Sequence, residues 1–204
     1  MDILIASHNR KKAAELESLL GKYGFRVLTF DDIGFHEEIE ETGDTFEENS
    51  LIKAKVACDM GYIGVADDSG LCVDYLDGKP GVYSARYSGE GATDSKNNAK
   101  LLSELNGVPE EKRGARFVSV ITAVFPGEEE TVITGKGTCE GRILESPRGD
   151  NGFGYDPLFY YEPFKKSFAE LSAEEKNSVS HRGKAIEDFV KKIIIYMRGK
   201  NDNQ

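Results

Sequence analysis

The pattern of hydrophobic and polar positions predicts strands and helices that alternate early in the chain, followed by a hairpin and a final helix. Strands are predicted at Asp2–Ala6, Phe25–Phe30, Ile63–Ala66, Leu71–Val73, Arg116–Phe125 and Glu130–Ile143. Helices are predicted at Lys11–Leu20, from the Thr45–Glu48 capping box to about Met60, at Asp94–Leu105 and at Arg182–Arg198. This order favours an α/β fold with a mixed central β-sheet flanked by helices, in two lobes with a cleft between them.

Glycine and proline mark the connections between these elements. Leu76–Gly91 is interpreted as an ordered loop or a short hairpin, and Pro126–Gly127 as the turn of a long antiparallel hairpin. No linker or internal repeat divides the sequence, so residues 1–204 are predicted to form a single domain.

Composition narrows the classes of function. A net charge of -10 argues against broad binding to nucleic acid or to an anionic membrane, but it does not exclude a small polyanionic ligand. No apolar run approaches the roughly 20 residues that span a bilayer, and the chain opens directly into a strand, so a cytoplasmic protein is expected. Cys58, Cys72 and Cys139 are far apart, which indicates neither a zinc site nor a disulfide framework.

The polar turn between the first strand and the first helix is a candidate anion site. Free backbone N–H groups and the helix dipole both favour an anion there. The candidate residues are Ser7, His8, Asn9, Arg10, Lys11 and Lys12. A solvated basic helix start is an equally good interpretation of this segment alone, and the glycine spacing of a P-loop is absent.

Two acidic segments suggest a cation site. Glu37, Glu38, Glu40 and Glu41 form the densest acidic cluster, which alone is typical of a solvated loop. Asp67 and Asp68 follow an apolar strand and precede Gly70, at the position where open α/β sheets usually bind ligands. Burying two adjacent carboxylates requires a counter-charge, and Mg²⁺ suits one or two carboxylates together with substrate phosphates.

Two later segments are candidates for base recognition. The glycines of Gly152–Pro157 allow close backbone approach to a ligand, and its aromatics could stack on a base, although a tight turn with a packed Phe is the alternative. Ser180–Gly183 opens the last helix and could equally be an ordinary cap with a surface arginine.

Taken together, the segments resemble the inosine triphosphate pyrophosphatase family, whose members hydrolyse noncanonical purine nucleoside triphosphates to the monophosphate and pyrophosphate. Six ordered motifs carry the resemblance along nearly the whole chain. They are Ser7–Lys12, Glu41–Asn49, Ala66–Leu71, Pro80–Tyr87, Gly152–Pro157 and Ser180–Gly183. His8 is a departure, because many members have Gly there.

The resemblance implies roles for individual residues. Asp68 would be the proton acceptor and a Mg²⁺ ligand, with Glu40 as the second ligand, although the pattern leaves Glu40 and Glu41 open for that position. Besides Ser7 to Lys12, the implied substrate-binding residues are Lys53, Ser69, Phe153, Gly154, Tyr155, Asp156, Lys176, His181 and Arg182. A homodimer is implied as well.

The chemistry of the base agrees with these roles. Hypoxanthine and xanthine present an acceptor at O6, whereas adenine presents an amino donor, and an arginine such as Arg182 can only donate. The resemblance implies ITP, dITP and XTP as substrates. Two other functions fit less well: a pyrophosphatase for modified pyrimidine nucleotides, and a nucleotide-binding module without turnover.

Overall fold

Strands and helices alternate along the chain in a computed structural model that describes residues 2–127 and 131–201. The strands are β1 (Asp2–Ile5), β2 (Arg26–Thr29), β3 (Ile63–Val73), β4 (Gly114–Phe125), β5 (Thr131–Ile143), β6 (Phe159–Tyr161) and β7 (Lys166–Ser167). The helices are α1 (Arg10–Gly21), α2 (Phe30–Ile33), α3 (Phe46–Asp59), α4 (Asp94–Glu104), α5 (Ala173–Val179) and α6 (His181–Asn201).

These strands form one sheet in the order β2-β1-β3-β4-β5-β6-β7. The strand β1 pairs in parallel with both β2 and β3, whereas β6 pairs antiparallel with β5 and with β7. The predicted α/β class with a mixed sheet is therefore confirmed. The cleft and the single domain stay predictions.

The predicted helices form where the sequence supplies caps. Asn9 accepts hydrogen bonds from the backbone N–H groups of Lys11 and Lys12 and so caps α1. Thr45 and Glu48 make the predicted capping box at the start of α3. No helix in the described ranges is long and apolar enough to cross a membrane.

The prediction of two short strands, Ile63–Ala66 and Leu71–Val73, separated by a turn is wrong. Asp67, Asp68, Ser69 and Gly70 lie inside one continuous strand, Ile63–Val73, and not beyond its end. The error came from taking Ser69–Gly70 as turn residues, whereas β3 continues beside β4 after its pairing with β1 has ended at Val65. The carboxylates therefore do lie beyond the end of the parallel β1–β3 pairing, as expected for a ligand site, but on an unbroken strand.

Other features are local. The acidic stretch after β2 begins with the short helix α2, which was not predicted. Of the two alternatives for the segment after β3, the structure has the ordered loop, with 3₁₀ turns at Asp74–Leu76 and Gly81–Arg86. The strand β5 begins at Thr131, and the predicted start at Glu130 lies outside the described residues.

The chain divides into two compact units. The first unit comprises the described residues of Met1–Asp68, Ser119–Gly137 and Arg182–Gln204, and the second comprises Ser69–Val118 and Thr138–His181. In the first unit, side chains alternate across the sheet. Ile3 and Ile5 pack in a cluster with residues of α1 and α6, while Leu4 packs in a cluster with Ala54 and Ala57 of α3.

The second unit has its own core. Phe117, Phe159 and Phe168 lie at its centre, with ring centroids 4.5–5.7 Å apart. Leu101 of α4 packs in the same cluster. Each unit therefore has buried hydrophobic clusters of its own.

Candidate active site

Asp67 lies at the centre of a buried charge cluster in the first unit. Its side chain is 1% exposed and accepts a hydrogen bond from Ser119 Oγ at 2.6 Å. Its Oδ2 atom lies 3.3 Å from both Arg182 Nε and Lys12 Nζ. Burial alone raises the pKa of Asp67, but Lys12 and Arg182 outweigh it and hold that pKa well below its usual range. Asp67 is therefore ionised and serves as counter-charge for two cations.

Arg182 is held from a second side. Its guanidinium is 4% exposed, and its Nη1 atom donates a hydrogen bond to the carboxylate of Glu15 in α1. Each of the four buried charges, Lys12, Asp67, Arg182 and Glu15, therefore faces an opposite charge, as buried ions in proteins usually do.

Asp68, the next residue of β3, has a different environment. Its Oδ1 atom lies 2.9 Å from Lys53 Nζ, while its buried Oδ2 atom has no hydrogen-bond partner among the described residues. Burial raises the pKa of Asp68 above its ordinary value in spite of the neighbouring Lys53 and Lys12. A carboxylate with one oxygen held and the other unmatched is suited to accept a proton or to bind a cation.

Lys53 connects Asp68 to the acidic segment. Its Nζ atom donates to Glu41 Oε1 at 2.6 Å and to the backbone oxygen of Asp67 at 3.1 Å. Burial alone lowers the pKa of Lys53, but the carboxylates of Asp68 and Glu41 outweigh it and raise the pKa. The predicted phosphate-facing lysine is thus a charged ammonium between two carboxylates.

The carboxylates near Asp68 were predicted to bind Mg²⁺. Glu41 pairs with Lys53, and the side chain of the preceding Glu40 is exposed. The described ranges contain no group of three or more His, Cys, Asp or Glu arranged to hold a metal. The unmatched oxygen of Asp68 nevertheless fits a cation that takes one or two carboxylates and obtains its other ligands from phosphates and water.

The N-terminal candidates separate into several environments. Lys12 joins the charge cluster. The side chain of Asn9 caps α1, and its backbone N–H donates to Ser7 Oγ. Arg10 pairs with Asp31 on the surface. The other two are His8, whose Nε2 lies 2.7 Å from the backbone oxygen of Glu37, and the exposed Lys11.

The second unit orders the predicted base-recognition segment. Asp156 Oδ2 accepts from the backbone N–H of Phe153 at 2.9 Å and from Lys176 Nζ at 2.8 Å. The ammonium of Lys176 also lies 5.0 Å from the centre of the Phe153 ring. Gly152 has a φ of 77°, and a Cβ atom there would lie 2.1 Å from Asp156 Oδ2, so the turn requires glycine.

The remaining candidates of this unit are also fixed. Tyr155 donates its hydroxyl to the backbone oxygen of Ser84 at 2.8 Å, and the buried His181 ring stacks on Phe117 at 4.7 Å. Gly154 is bound on both sides, because its N–H donates to Asp94 Oδ2 and its oxygen accepts from Asn98 Nδ2. Ser69 directly follows Asp68 in β3 and is partly buried.

Several residues of these clusters were not predicted. Glu15 contacts Arg182, which lies 167 residues later in the sequence, and Ser119 contacts Asp67, which lies 52 residues earlier. In the second unit, Asp94 and Asn98 of α4 both bind the backbone of Gly154. A glutamate one helical turn after Lys12 was a signal available for Glu15. Ser119 gives no signal, because a serine within an apolar strand is ordinary.

The chain is similar to known proteins along almost its whole length. The profile of the Ham1 family matches residues 3–192. The chain is 47% identical over 198 residues to the dITP/XTP pyrophosphatase of Bacillus cereus (strain ATCC 14579), covering 97% of both chains. It is 52% identical over 187 residues to the dITP/XTP pyrophosphatase of Thermoanaerobacter sp. (strain X514), covering 91% of this chain and 93% of that one.

A solved structure agrees with the fold. The chain superposes on a HAM1 protein from Coxiella burnetii with a TM-score of 0.85 and 39% identity, over 95% of this chain and 98% of that one. Sequence and fold therefore give the same assignment and confirm the resemblance drawn from the six motifs. The chain belongs to the Ham1 family.

Proposed function

We propose that the protein hydrolyses noncanonical purine nucleoside triphosphates (ITP, dITP and XTP) to the nucleoside monophosphate and pyrophosphate. The observation that carries the proposal is the state of Asp68. It is a buried carboxylate with a raised pKa, one oxygen bound to Lys53 and the other unmatched among the described residues. The names of the two relatives, both dITP/XTP pyrophosphatases, support the substrate class.

In the proposed reaction, water attacks the α-phosphorus, and the bond from that phosphorus to the oxygen bridging it to the β-phosphorus breaks. The water proton passes to Asp68, whose raised pKa makes it a better acceptor than an ordinary aspartate. The ammonium groups of Lys53 and Lys12 favour a polyphosphate and the charge that develops on it. Such a reaction depends mainly on positioning and electrostatics.

We also propose that the reaction needs Mg²⁺, held by Asp68 and Glu40. Bound there, the ion would neutralise charge on the phosphate oxygens and the departing pyrophosphate. Removing divalent cations with EDTA should abolish pyrophosphate release, and added Mg²⁺ should restore it. Comparing Glu40→Gln with Glu41→Gln identifies the second ligand: the variant with the weaker apparent Mg²⁺ affinity marks it.

Base recognition is proposed to use Phe153 as a stacking face and Arg182 as a donor to O6. The backbone N–H of Phe153 is bound by Asp156, and the ammonium of Lys176 lies 5.0 Å from the centre of its ring. A preorganised aromatic ring loses little entropy on binding a base. On this basis Phe153→Ala should raise the KM for ITP, since base stacking contributes about 1–3 kcal/mol, or roughly 5- to 150-fold.

A nucleotide panel tests the proposal. ITP, dITP, XTP, GTP, ATP and a modified pyrimidine triphosphate are assayed side by side for pyrophosphate and for inorganic phosphate. Pyrophosphate from ITP, dITP and XTP is expected, with Asp68→Asn reducing kcat by about 10²- to 10⁴-fold. Preference for the pyrimidine, tight ITP binding without turnover, or full activity of Asp68→Asn would contradict the proposal.

We propose finally that the protein is a cytoplasmic homodimer. Exposed aromatic rings of the second unit support a contact surface, because Tyr75 and Tyr83 are both about half exposed. Sedimentation velocity at micromolar concentration should give twice the monomer mass. Tyr83→Ala should shift the protein toward monomer, and Tyr23→Ala, which removes another half-exposed tyrosine from the first unit, should not.

A further inference from the structure

The acidic segment before α3 is bound to the first turn of that helix by three consecutive backbone donors. Gly43 N–H donates to Asn49 Oδ1 at 2.8 Å, and the N–H groups of Asp44 and Thr45 donate to Glu48 Oε2 at 2.8 and 3.1 Å. A capping box accounts only for the bond at Thr45. The other two bonds hold backbone that precedes the helix, so they order the segment that contains Glu40 and Glu41.

Asn49 is a buried amide whose oxygen accepts the hydrogen bond from Gly43 N–H. Its side chain belongs to a fully buried residue, and its Nδ2 atom has no hydrogen-bond partner in the described part of the chain. Because a backbone N–H can only donate, the atom of Asn49 that faces Gly43 must be the oxygen. An unmatched buried donor is costly and offsets the bond that the oxygen makes, so Asn49 adds little net stability. Its clear structural effect is to fix Gly43.

Gly43 lies so close to α3 that no other residue fits without movement. A Cβ atom there would lie 2.5 Å from Glu48 Cβ and 2.8 Å from Asn49 Oδ1. The φ angle of Gly43 is not in the left-handed region, so glycine is required by space and not by backbone conformation. The contact between Gly43 and Asn49 can therefore be disturbed independently from either side.

This contact leads directly to the proposed reacting group. Glu41 lies two residues before Gly43, and its carboxylate is 2.6 Å from Lys53 Nζ. Lys53 follows Asn49 by four residues on α3, which places both on one face of the helix. Lys53 then contacts Asp68 Oδ1 at 2.9 Å. The same helix face therefore fixes the acidic segment and orients the carboxylate of Asp68.

We propose that Asn49 is a positioning residue for catalysis: its bond to Gly43 holds Glu40 and Glu41 in register with Lys53 and Asp68. The inference rests on the proposed function. A displacement of about 1 Å in a reacting constellation can cost on the order of 100-fold in rate. Loss of the contact is therefore expected to lower kcat by about 10- to 100-fold, with a smaller change in KM.

The test uses two variants of the contact and one matched control. Asn49→Leu keeps the approximate volume but removes the acceptor, and Gly43→Ala forces the segment away from α3. Gly21→Ala makes the same substitution in the same unit, where a Cβ atom meets nothing within 4 Å. Steady-state kinetics with ITP are measured together with hydrogen exchange of residues 40–45 by mass spectrometry, which requires no turnover.

Both contact variants should lower kcat and speed exchange at residues 40–45, and Gly21→Ala should do neither. The double variant Asn49→Leu/Gly43→Ala should be no slower than the slower single variant, because both remove one contact. Effects that multiply in the double variant, or faster exchange with unchanged kcat, would overturn the inference. If the unaltered protein releases no pyrophosphate, the proposed function itself is wrong, and the exchange data still report the contact.

Discussion

Replacing Asp67 by Asn should destabilise the protein strongly, because it removes the central counter-charge of the buried cluster. Asp67 Oδ2 lies 3.3 Å from both Arg182 Nε and Lys12 Nζ. An Asn can still accept from Ser119, but it offers the cations no charge. Hydrogen bonds to charged groups contribute about 1.5–3 kcal/mol each, and Glu15 still compensates Arg182.

The expected loss is therefore about 3–5 kcal/mol, the range measured when one partner of a buried ion pair is removed. For a chain of this length the melting temperature should fall by roughly 6–20 °C. Far-UV circular dichroism in urea and on heating is the suitable assay, since the chain has no tryptophan.

Asp188→Asn is the matched control. Asp188 also pairs with a lysine of the first unit, Lys192, at 2.7 Å, but both side chains are more than one third exposed. An exposed pair contributes at most about 1 kcal/mol. If Asp67→Asn lowers the free energy of unfolding by no more than Asp188→Asn does, Asp67 is not the stabilising counter-charge of the buried cluster.

Three further predictions concern other features of the two units. Ser119→Ala should cost about 1.5–3 kcal/mol in urea unfolding, less than Asp67→Asn, because it removes only the hydroxyl donor to Asp67. Gly152→Ala should raise the KM for ITP and lower the melting temperature, since its Cβ would lie 2.1 Å from the carboxylate of Asp156; unchanged values would contradict the described turn. Burial alone raises the pKa of Asp188, but hydrogen bonds from Lys192 and a backbone amide outweigh it and lower the pKa. The stability it adds is therefore present above about pH 4 and lost as the pH falls through the folded-state pKa, so unfolding free energies of the unaltered protein and Asp188→Asn should converge there.

Local features of the fold could be predicted because they depend on neighbouring residues. The apolar face of α1 and the capping box of α3 are predicted by residues spaced three and four positions apart. The same local reasoning failed at Ser69–Gly70, because an adjacent strand, which is distant in sequence, keeps β3 extended.

The residues of the candidate site could likewise be predicted only where neighbouring residues identify them. The carboxylates and lysines could be named from their motifs, but their partners could not. Asp67 and Asp68 are adjacent and chemically alike, yet one is a permanent counter-charge and the other carries an unmatched oxygen. That difference arises from Ser119, Arg182 and Lys53, and only the folded chain brings these residues together.

The charge cluster of the first unit also has a consequence for synthesis on the ribosome. Lys12 and Glu15 emerge early, but Arg182 is separated from Asp67 by 115 residues and lies in the last helix. At about 5–20 residues per second, roughly 6–23 s pass between the synthesis of Asp67 and that of Arg182. During this interval the nascent first unit lacks one of its balancing charges. Chains that stall before α6 should therefore remain open to proteases, and nearly full-length products should be cleared from the cell.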